Sequence, residues 1–252
     1  MSTPAARPGL VEPLVTFFAA TALACGIYWL GQAVPFVQRN IVHGAIAVIF
    51  LYAPVLASRR SGRPFDYQTA GLRFDPVGLN LKVAGLAIAI TWPVFFASFL
   101  LFYGYVCRPG MPDFVQYWME NFAPMCSRWL GLSGMRWRLP PDFLQLALNQ
   151  IIVVAVPEEL FFRGYLMGRF EERWPSQRRF LGVNVGWPLL VSSALFALGH
   201  VLVDFDATRL AVFFPGLAFA WMRSRTGSIA AGALFHALCN LLSELLHTSF
   251  FS

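Results

Sequence analysis

The sequence predicts an all-α fold: a polytopic membrane helical bundle of about seven transmembrane helices. Of the 252 residues, 57% are hydrophobic and only 13% are charged, whereas soluble domains average about 25% charged residues. The apolar residues form runs that cross, or nearly cross, the roughly 30 Å of hydrocarbon that about 20 helical residues span. Basic residues cluster at the ends of these runs, as topology signals do.

Seven apolar stretches carry this prediction. The second and the sixth are shorter than a full span. Short connections between successive stretches favour antiparallel neighbours, so we expect one integral-membrane domain over residues 1–252, without an internal repeat. The predicted limits are 13–36, 41–57, 83–106, 143–168, 183–203, 209–222 and 227–247.

The distribution of Lys and Arg predicts the orientation. With the N-terminus in the cytoplasm, the connections on that side hold twelve basic residues and those on the other side hold six. Since cytoplasmic connections carry the excess of positive charge, we expect the N-terminus inside and the C-terminus outside, in the inner membrane if the chain is bacterial. The net charge of +6 does not predict nucleic-acid binding, because no basic stripe with interleaved aromatic residues accompanies it.

The longest connection, 107–142, is predicted to lie outside and to contain a short interfacial helix. Aromatic and apolar residues at helical spacing favour an anchor at headgroup depth over a lid. Cys107 and Cys126 share this loop, and a disulfide between them requires an oxidising compartment, so their pairing stays open. The residues at helical spacing are Phe114, Trp118, Phe122 and Met125.

The fourth segment carries three charged residues in an apolar run. Ionisable side chains inside spans are rare, and they usually face the bundle interior and serve function. Glu159 and Arg163 are four residues apart, so they share one helix face in the favourable order, acid before base. Glu158 is rotated by about 100° from Glu159. We therefore expect Arg163 to neutralise Glu159 and Glu158 to need another partner.

Two further segments supply polar groups that suit hydrolysis. His200 ends the fifth segment, and His236 and Asn240 lie four residues apart on the seventh. A carboxylate such as Glu158, assisted by an imidazole, can take a proton from water. A second imidazole and an amide can donate hydrogen bonds to an oxyanion. Each residue alone could instead be structural, in a packed ion pair or an interhelical hydrogen bond.

Three motifs occur in order on separate segments: EELFFR at 158–163, FALGH at 196–200 and HALCN at 236–240. They resemble the E-E-x-x-x-R, F-x-x-x-H and H-x-x-x-N motifs of the CAAX-protease and bacteriocin-processing family of intramembrane glutamic endopeptidases, which includes the Ras-converting CAAX endopeptidase. The resemblance covers roughly 143–247, the predicted catalytic core. The N-terminal helices within 1–142 carry no family motif.

The resemblance implies a role for each residue. Glu158 would activate the attacking water together with His200, and His236 and Asn240 would form the oxyanion hole. The supporting pair, Glu159 and Arg163, would hold the site in shape, and no cofactor or metal would take part. The substrate would be a protein or peptide whose C-terminal segment is hydrophobic or lipidated. Prenylated CAAX tails fit this description, as do the C-terminal sorting signals of bacteria, and membrane lipid would surround the enzyme.

Two other classes of function stay open. Glu158, His200 and His236 could form the three-ligand zinc site of a metal-dependent membrane hydrolase, but the chain has no H-E-x-x-H motif and Arg163 disfavours a cation. Intramembrane acids and imidazoles also build proton relays. A non-enzymatic role in transport or bacteriocin immunity is therefore the third hypothesis, although no repeat-related pair of broken helices supports transport.

The predicted helix limits place two of the site residues at different depths in the membrane. Glu158 falls near the middle of the membrane, and His200 falls in the outer third of the fifth segment. The two side chains can meet only if a helix limit is wrong by about a turn, or if the fifth segment tilts or is broken near Gly199. The true depth of these two residues also decides to which membrane face the site opens.

Overall fold

The structure, a computed structural model, describes residues 9–108, 110 and 123–251. Seven helices form the bundle within these residues, and we number them α1 to α7. Short helices at Pro35–Asn40, Ala123–Cys126 and Gly131–Gly134 and a 3-10 helix at Ala207–Val212 lie in the connections. The seven are α1 (Val11–Ala33), α2 (Val42–Arg60), α3 (Val77–Val106), α4 (Phe143–Arg173), α5 (Trp187–Asp204), α6 (Phe213–Thr226) and α7 (Ala230–Phe250).

Five of these helices, α1 to α5, are long and apolar enough to cross a membrane. This finding confirms the helical membrane bundle, and the chain is an integral membrane protein. The predicted count of seven spans is not confirmed. Helix α6 has only 14 residues, and a 3-10 helix replaces the first four residues, 209–212, of the predicted segment 209–222. Helix α7 has 21 residues but is not among the five, and it carries His236, Asn240 and Glu244.

The bundle is arranged around α4, which contacts α1, α2, α5, α6 and α7. Its aromatic residues Phe161, Phe162 and Tyr165 are fully buried, so they form the centre of the main core. Phe17 of α1 and Phe196 of α5 pack against the same cluster. In contrast, α3 exposes apolar residues along most of its length, as expected of a helix whose surface faces lipid.

Helix α4 is not a uniform α-helix. π-helical stretches at Asn149–Ala155 and Leu160–Leu166 flank a single α-helical turn, Val156–Glu159. Pro157 in that turn has no amide hydrogen to donate, which disrupts the regular ladder. Short π-helical insertions occur mostly as local bulges and often at functional sites. Here they flank Glu158 and Glu159.

The connection after α3 contains a disulfide between Cys107 and Cys126, which answers the question that the sequence left open. Near it, Trp129 pairs with Phe251 through a backbone bridge and stacks against Phe250 at 5.3 Å between ring centroids. The end of α7 is thereby fixed against this loop. Most of the predicted interfacial helix, with Phe114, Trp118 and Phe122, falls on residues 111–122, which lie outside the described residues, and Met125 lies in the described turn Ala123–Cys126. The described part of the loop contains only the helical turns Ala123–Cys126 and Gly131–Gly134.

The connection between α4 and α5 is a β-hairpin. Strand β1 (Arg178–Phe180) pairs antiparallel with β2 (Val183–Val185), and the two turn residues, Leu181 and Gly182, both have positive φ, as a tight two-residue hairpin turn requires. The predicted fifth segment, which began at 183, was wrong at its start. Residues 183–185 form strand β2 instead. The helix starts at Trp187, with Pro188 in its first turn, where proline is common.

Candidate active site

A fully buried ion pair lies at the centre of α4. Nη1 of Arg163 donates to Oε1 of Glu159 at 3.0 Å, and the two side chains are 0% and 1% exposed. Nη2 of Arg163 donates to the carbonyl oxygen of Gly216 on α6 at 3.2 Å. A buried charge is tolerated only where it is paired and hydrogen-bonded, so this pair and this carbonyl are what allow an arginine here.

Aromatic rings and glycines surround the ion pair. The guanidinium lies 4.2 Å from the ring centroid of Phe196 and 5.0 Å from that of Phe219, distances at which a cation is attracted to a ring face. Two glycines leave room for the charged groups. A Cβ atom at Gly216 would lie 3.1 Å from Nη2 of Arg163, and one at Gly232 would lie 3.1 Å from Oε2 of Glu159. Arg163 therefore connects α4 with both α5 and α6.

Glu158 points away from this pair, as its rotation around the helix axis predicts. Its Oε2 lies 3.9 Å from Nε2 of His236. Nδ1 of His236 lies 3.4 Å from Oε1 of Glu159, so the imidazole on α7 lies between the two carboxylates. The ring stacks on Phe219 with 4.9 Å between centroids, which fixes its plane. The Glu158 side chain is 16% exposed, and its Oε2 has no hydrogen-bond partner among the described residues.

His200, in the last turn of α5, lines the same cavity as Glu158. This cavity has a volume of about 110 Å³, which is room for a few water molecules at about 30 Å³ each. Nδ1 of His200 lies 2.9 Å from the carbonyl oxygen of Phe196. Because a carbonyl oxygen only accepts, Nδ1 is the donor, and Nε2 of the neutral ring is left as a proton acceptor. Thr21 of α1 and Asp204 also line the cavity.

The helix limits explain how Glu158 and His200 come to the same depth. Glu158 lies 15 residues before the end of α4 at Arg173, and His200 lies 13 residues after the start of α5 at Trp187. The two helices are consecutive, and the hairpin joins these ends. At 1.5 Å per residue the two depths differ by only about 3 Å. The predicted difference in depth thus came from helix limits that were wrong by about a turn at both ends of the hairpin.

Asn240 lies one helical turn after His236, where its Nδ2 donates to Oε1 of Gln150 at 2.8 Å. Gln150 is in the first π-helical stretch of α4. This bond therefore joins α4 to α7 in addition to the contacts of His236 with Glu158 and Glu159. Asn240 does not line the cavity that holds Glu158 and His200. The structure therefore brings Glu158, Glu159, Arg163 and His236 into one cluster, and it adds His200 through the cavity and Asn240 through Gln150.

Sequence reasoning missed three residues of this site. Gln150 is a polar residue in an otherwise apolar run, and that signal was visible. Asp204 lines the cavity and pairs with Arg209 at 2.6 Å, but it looks like an ordinary helix end in the sequence. Phe219 has no signal, since a phenylalanine in an apolar helix is usually a packing residue. Within the described residues, no group of three or more His, Cys, Asp or Glu side chains is arranged to hold a metal ion.

Comparison with known proteins identifies one family. Residues 140–242 match a family model described as Type II CAAX prenyl endopeptidase Rce1-like. The matched segment includes all six site residues predicted from the sequence. This is the family that the three motifs resemble, so that prediction is confirmed for the matched segment. No curated protein and no solved structure matches the chain.

Proposed function

We propose that this chain, whose residues 140–242 belong to the Rce1-like family of type II CAAX prenyl endopeptidases, is an intramembrane glutamic endopeptidase. It hydrolyses a peptide bond near the C-terminal end of a protein whose terminal segment is membrane-embedded or lipidated. The observation that carries the proposal is the cavity that Glu158 and His200 share. Glu158, whose Oε2 has no hydrogen-bond partner among the described residues, and His200, whose Nε2 can accept a proton, both line it.

The chemistry assigns one proton acceptor and one group of donors. Glu158, assisted by His200, takes a proton from water as the water oxygen attacks the carbonyl carbon of the substrate. The carbonyl oxygen becomes an oxyanion, and His236, when it carries a proton on Nε2, and the amide of Asn240 donate to it. The carbon–nitrogen bond then breaks, and the proton held by Glu158 passes to the leaving amine. No covalent intermediate with the enzyme is needed.

The buried pair has a positioning role in this proposal. Arg163 neutralises Glu159, so the second carboxylate does not compete with Glu158 for the proton of the water. Glu159 in turn lies 3.4 Å from Nδ1 of His236, which orients the ring towards Glu158. Holding the reacting groups in place in this way supplies a large part of many catalytic rate enhancements.

The substrate is proposed to enter from the non-cytoplasmic side. The cavity is lined by Val203 and Asp204 at the last turn of α5, and with the N-terminus inside this end of α5 faces outwards. The disulfide after α3 lies at the same end, and disulfides persist in oxidising compartments, which supports this orientation. In a bacterial inner membrane, a hydrophobic C-terminal sorting signal is the substrate that fits best, and a prenylated CAAX tail is the alternative.

The test uses the purified protein in lipid nanodiscs and peptides with a prenylated or a hydrophobic C-terminal segment. Glu158→Gln preserves the size of the side chain and should lower kcat by about 10²- to 10⁴-fold, the usual contribution of a general base. Glu244→Gln makes the same chemical change at an exposed position of α7 and should leave kcat unchanged. Full activity of a well-folded Glu158→Gln variant would exclude the proposal.

A second measurement separates the metal-dependent hydrolase from the proposed enzyme. Activity should be unchanged after dialysis against a strong chelator, because no step requires a metal. A loss of activity that zinc restores would favour the metal enzyme instead. Mass spectrometry of membrane-protein C-termini, with and without the chain, should then identify the substrate and the cleaved bond together.

A further inference from the structure

A groove of about 630 Å³ lies at the opposite end of α5 from the proposed catalytic cavity. Its walls are the hairpin β1–β2, the first turn of α5 and one face of α6. Most of the lining is apolar, with Leu190 and Leu217 on its helical walls, and among its described lining residues only Arg178 is charged. The size and the apolar walls are those of a ligand pocket.

The groove lies at the membrane interface. Gly186, Trp187 and Leu190, at the start of the membrane-spanning helix α5, belong to its lining, and the ends of spanning helices lie at headgroup depth. Trp187 is 67% exposed and Leu181, at the hairpin turn, is 69% exposed. Aromatic residues are enriched at this depth, so the exposed apolar surface around the groove faces lipid.

Two kinds of hydrogen-bond donor meet at the groove. Arg178, which is exposed and lines it, has no ion-pair partner in the part of the chain that the structure describes. The N-terminus of α5 has no side-chain cap, and the amides at a helix N-terminus attract anions. A guanidinium and a helix N-terminus together favour a negatively charged group.

The surroundings add positive charge and little negative charge. Arg179 lies on the hairpin beside Arg178, and Nη1 of Arg225 would lie 3.2 Å from a Cβ atom at Gly182, so it reaches the hairpin turn. The acidic Glu171, near the end of α4, accepts from the amide and the hydroxyl group of Ser176 at 2.6 and 2.8 Å, and its single negative charge is outnumbered by Arg178, Arg179 and Arg225. The local field therefore attracts an anion.

We infer that this groove binds an anionic phospholipid of the leaflet on that side. The phosphate lies between Arg178 and the N-terminus of α5, and an acyl chain runs along Leu190 and Leu217. A soluble phosphate would not use the apolar walls, and a zwitterionic phospholipid would place a cation in the basic field. With the N-terminus inside, the leaflet is the cytoplasmic one, whose anionic lipids attract basic residues.

The hairpin supplies a matched control for the test. Side chains alternate between the two faces of a strand, and Arg178 and Val185, which are paired partners, both line the groove. Arg179 and its partner Asn184 do not line it. The variants Arg178→Gln and Arg179→Gln thus remove the same charge on opposite faces of one hairpin.

The experiment measures lipid retention on the full chain by native mass spectrometry, with phosphatidylglycerol and phosphatidylcholine of identical acyl chains. Phosphatidylglycerol should be retained preferentially. Arg178→Gln should weaken that retention about fivefold, the usual effect of one basic residue at an anionic surface. Arg179→Gln, which alters only the surrounding field, should weaken retention clearly less than Arg178→Gln does.

Three outcomes would overturn the inference. The two lipids could be retained equally, Arg179→Gln could weaken retention as much as Arg178→Gln, or inorganic phosphate could displace phosphatidylglycerol at equal concentration. The last result would identify the site as one for free phosphate. Unfolding temperatures of the variants, measured without added lipid, separate a loss of the site from a loss of the fold.

Discussion

Oε2 of Glu158 lies 3.9 Å from Nε2 of His236, although the two residues are 78 positions apart in the chain. The imidazole that reaches Glu158 at this distance belongs to α7, and the one that shares its cavity belongs to α5. Three helices therefore contribute to one site inside the membrane. Because no single helix supplies all of the polar groups, the site depends on how the helices pack, and the buried pair of Glu159 and Arg163 is central to that packing.

Breaking this pair should destabilise the protein strongly. In Glu159→Gln the guanidinium of Arg163 stays fully buried without its counter-charge, and removal of one partner of a buried pair costs about 3–5 kcal/mol. Arg163→Met should cost a similar amount because it leaves the carboxylate unpaired. The measurement is the free energy of unfolding of each variant in a mild detergent.

The double variant Glu159→Gln/Arg163→Met provides the control for this prediction. It removes both charges, so it should be less destabilised than the sum of the single variants predicts, because each single variant leaves one charge without a partner. If the two single effects simply add in the double variant, the ion pair contributes nothing as a pair, and its proposed positioning role is wrong.

The sequence predicted this pair more reliably than it predicted the rest of the site. The spacing of Glu159 and Arg163 determines that they share a helix face, whatever the tertiary structure is. The cavity depends instead on the depth at which α4 and α5 end, and that depth is set by a hairpin whose strands resemble an apolar helix start in the sequence. The bond between Gln150 and Asn240 depends on the packing of α7 against α4, which no local pattern encodes.

The bond between Gln150 and Asn240 should be energetically coupled to catalysis. Asn240→Ala removes a proposed oxyanion donor, and loss of one such donor lowers kcat by about 10²- to 10³-fold. Gln150 acts by positioning Asn240, so Gln150→Ala should lower kcat less and leave KM nearly unchanged. In the double variant, the Gln150 substitution should have no further effect, because the group that it positions is gone.

A separate contribution of Gln150 to the fold would give a different result. The Gln150 substitution would then lower the unfolding free energy by the same amount with and without Asn240, and kcat per folded molecule would not change. Gln150→Glu keeps an acceptor for Nδ2 of Asn240, so it should retain most of the activity that Gln150→Ala loses.

The disulfide should be detectable in the protein extracted from membranes. The unmodified chain should migrate differently in reduced and non-reduced gels, and Cys126→Ser should abolish the difference. Closing a loop of this length, with a sequence separation of 19 between Cys107 and Cys126, stabilises a fold by about 3 kcal/mol in the chain-entropy model, so the variant should also unfold more easily. Cys239→Ser alters a free cysteine and should leave the shift intact.

Glu12 should join the N-terminal helices, which carry no family motif, to the catalytic core. It lies at the start of α1, where it pairs with Arg63 and Arg169, the latter at 3.1 Å, and accepts from the hydroxyl group of Tyr165 at 3.1 Å. Because the Glu12 side chain is only 13% exposed, Glu12→Ala should lower the free energy of unfolding by about 1.5–3 kcal/mol.

Glu172 contacts the same two arginines but is 42% exposed, so Glu172→Ala should lower the free energy of unfolding by less than about 1 kcal/mol. Equal costs for the two variants would mean that the α1 contact is an ordinary surface ion pair, and the prediction that residues 1–252 form one domain would lose this support.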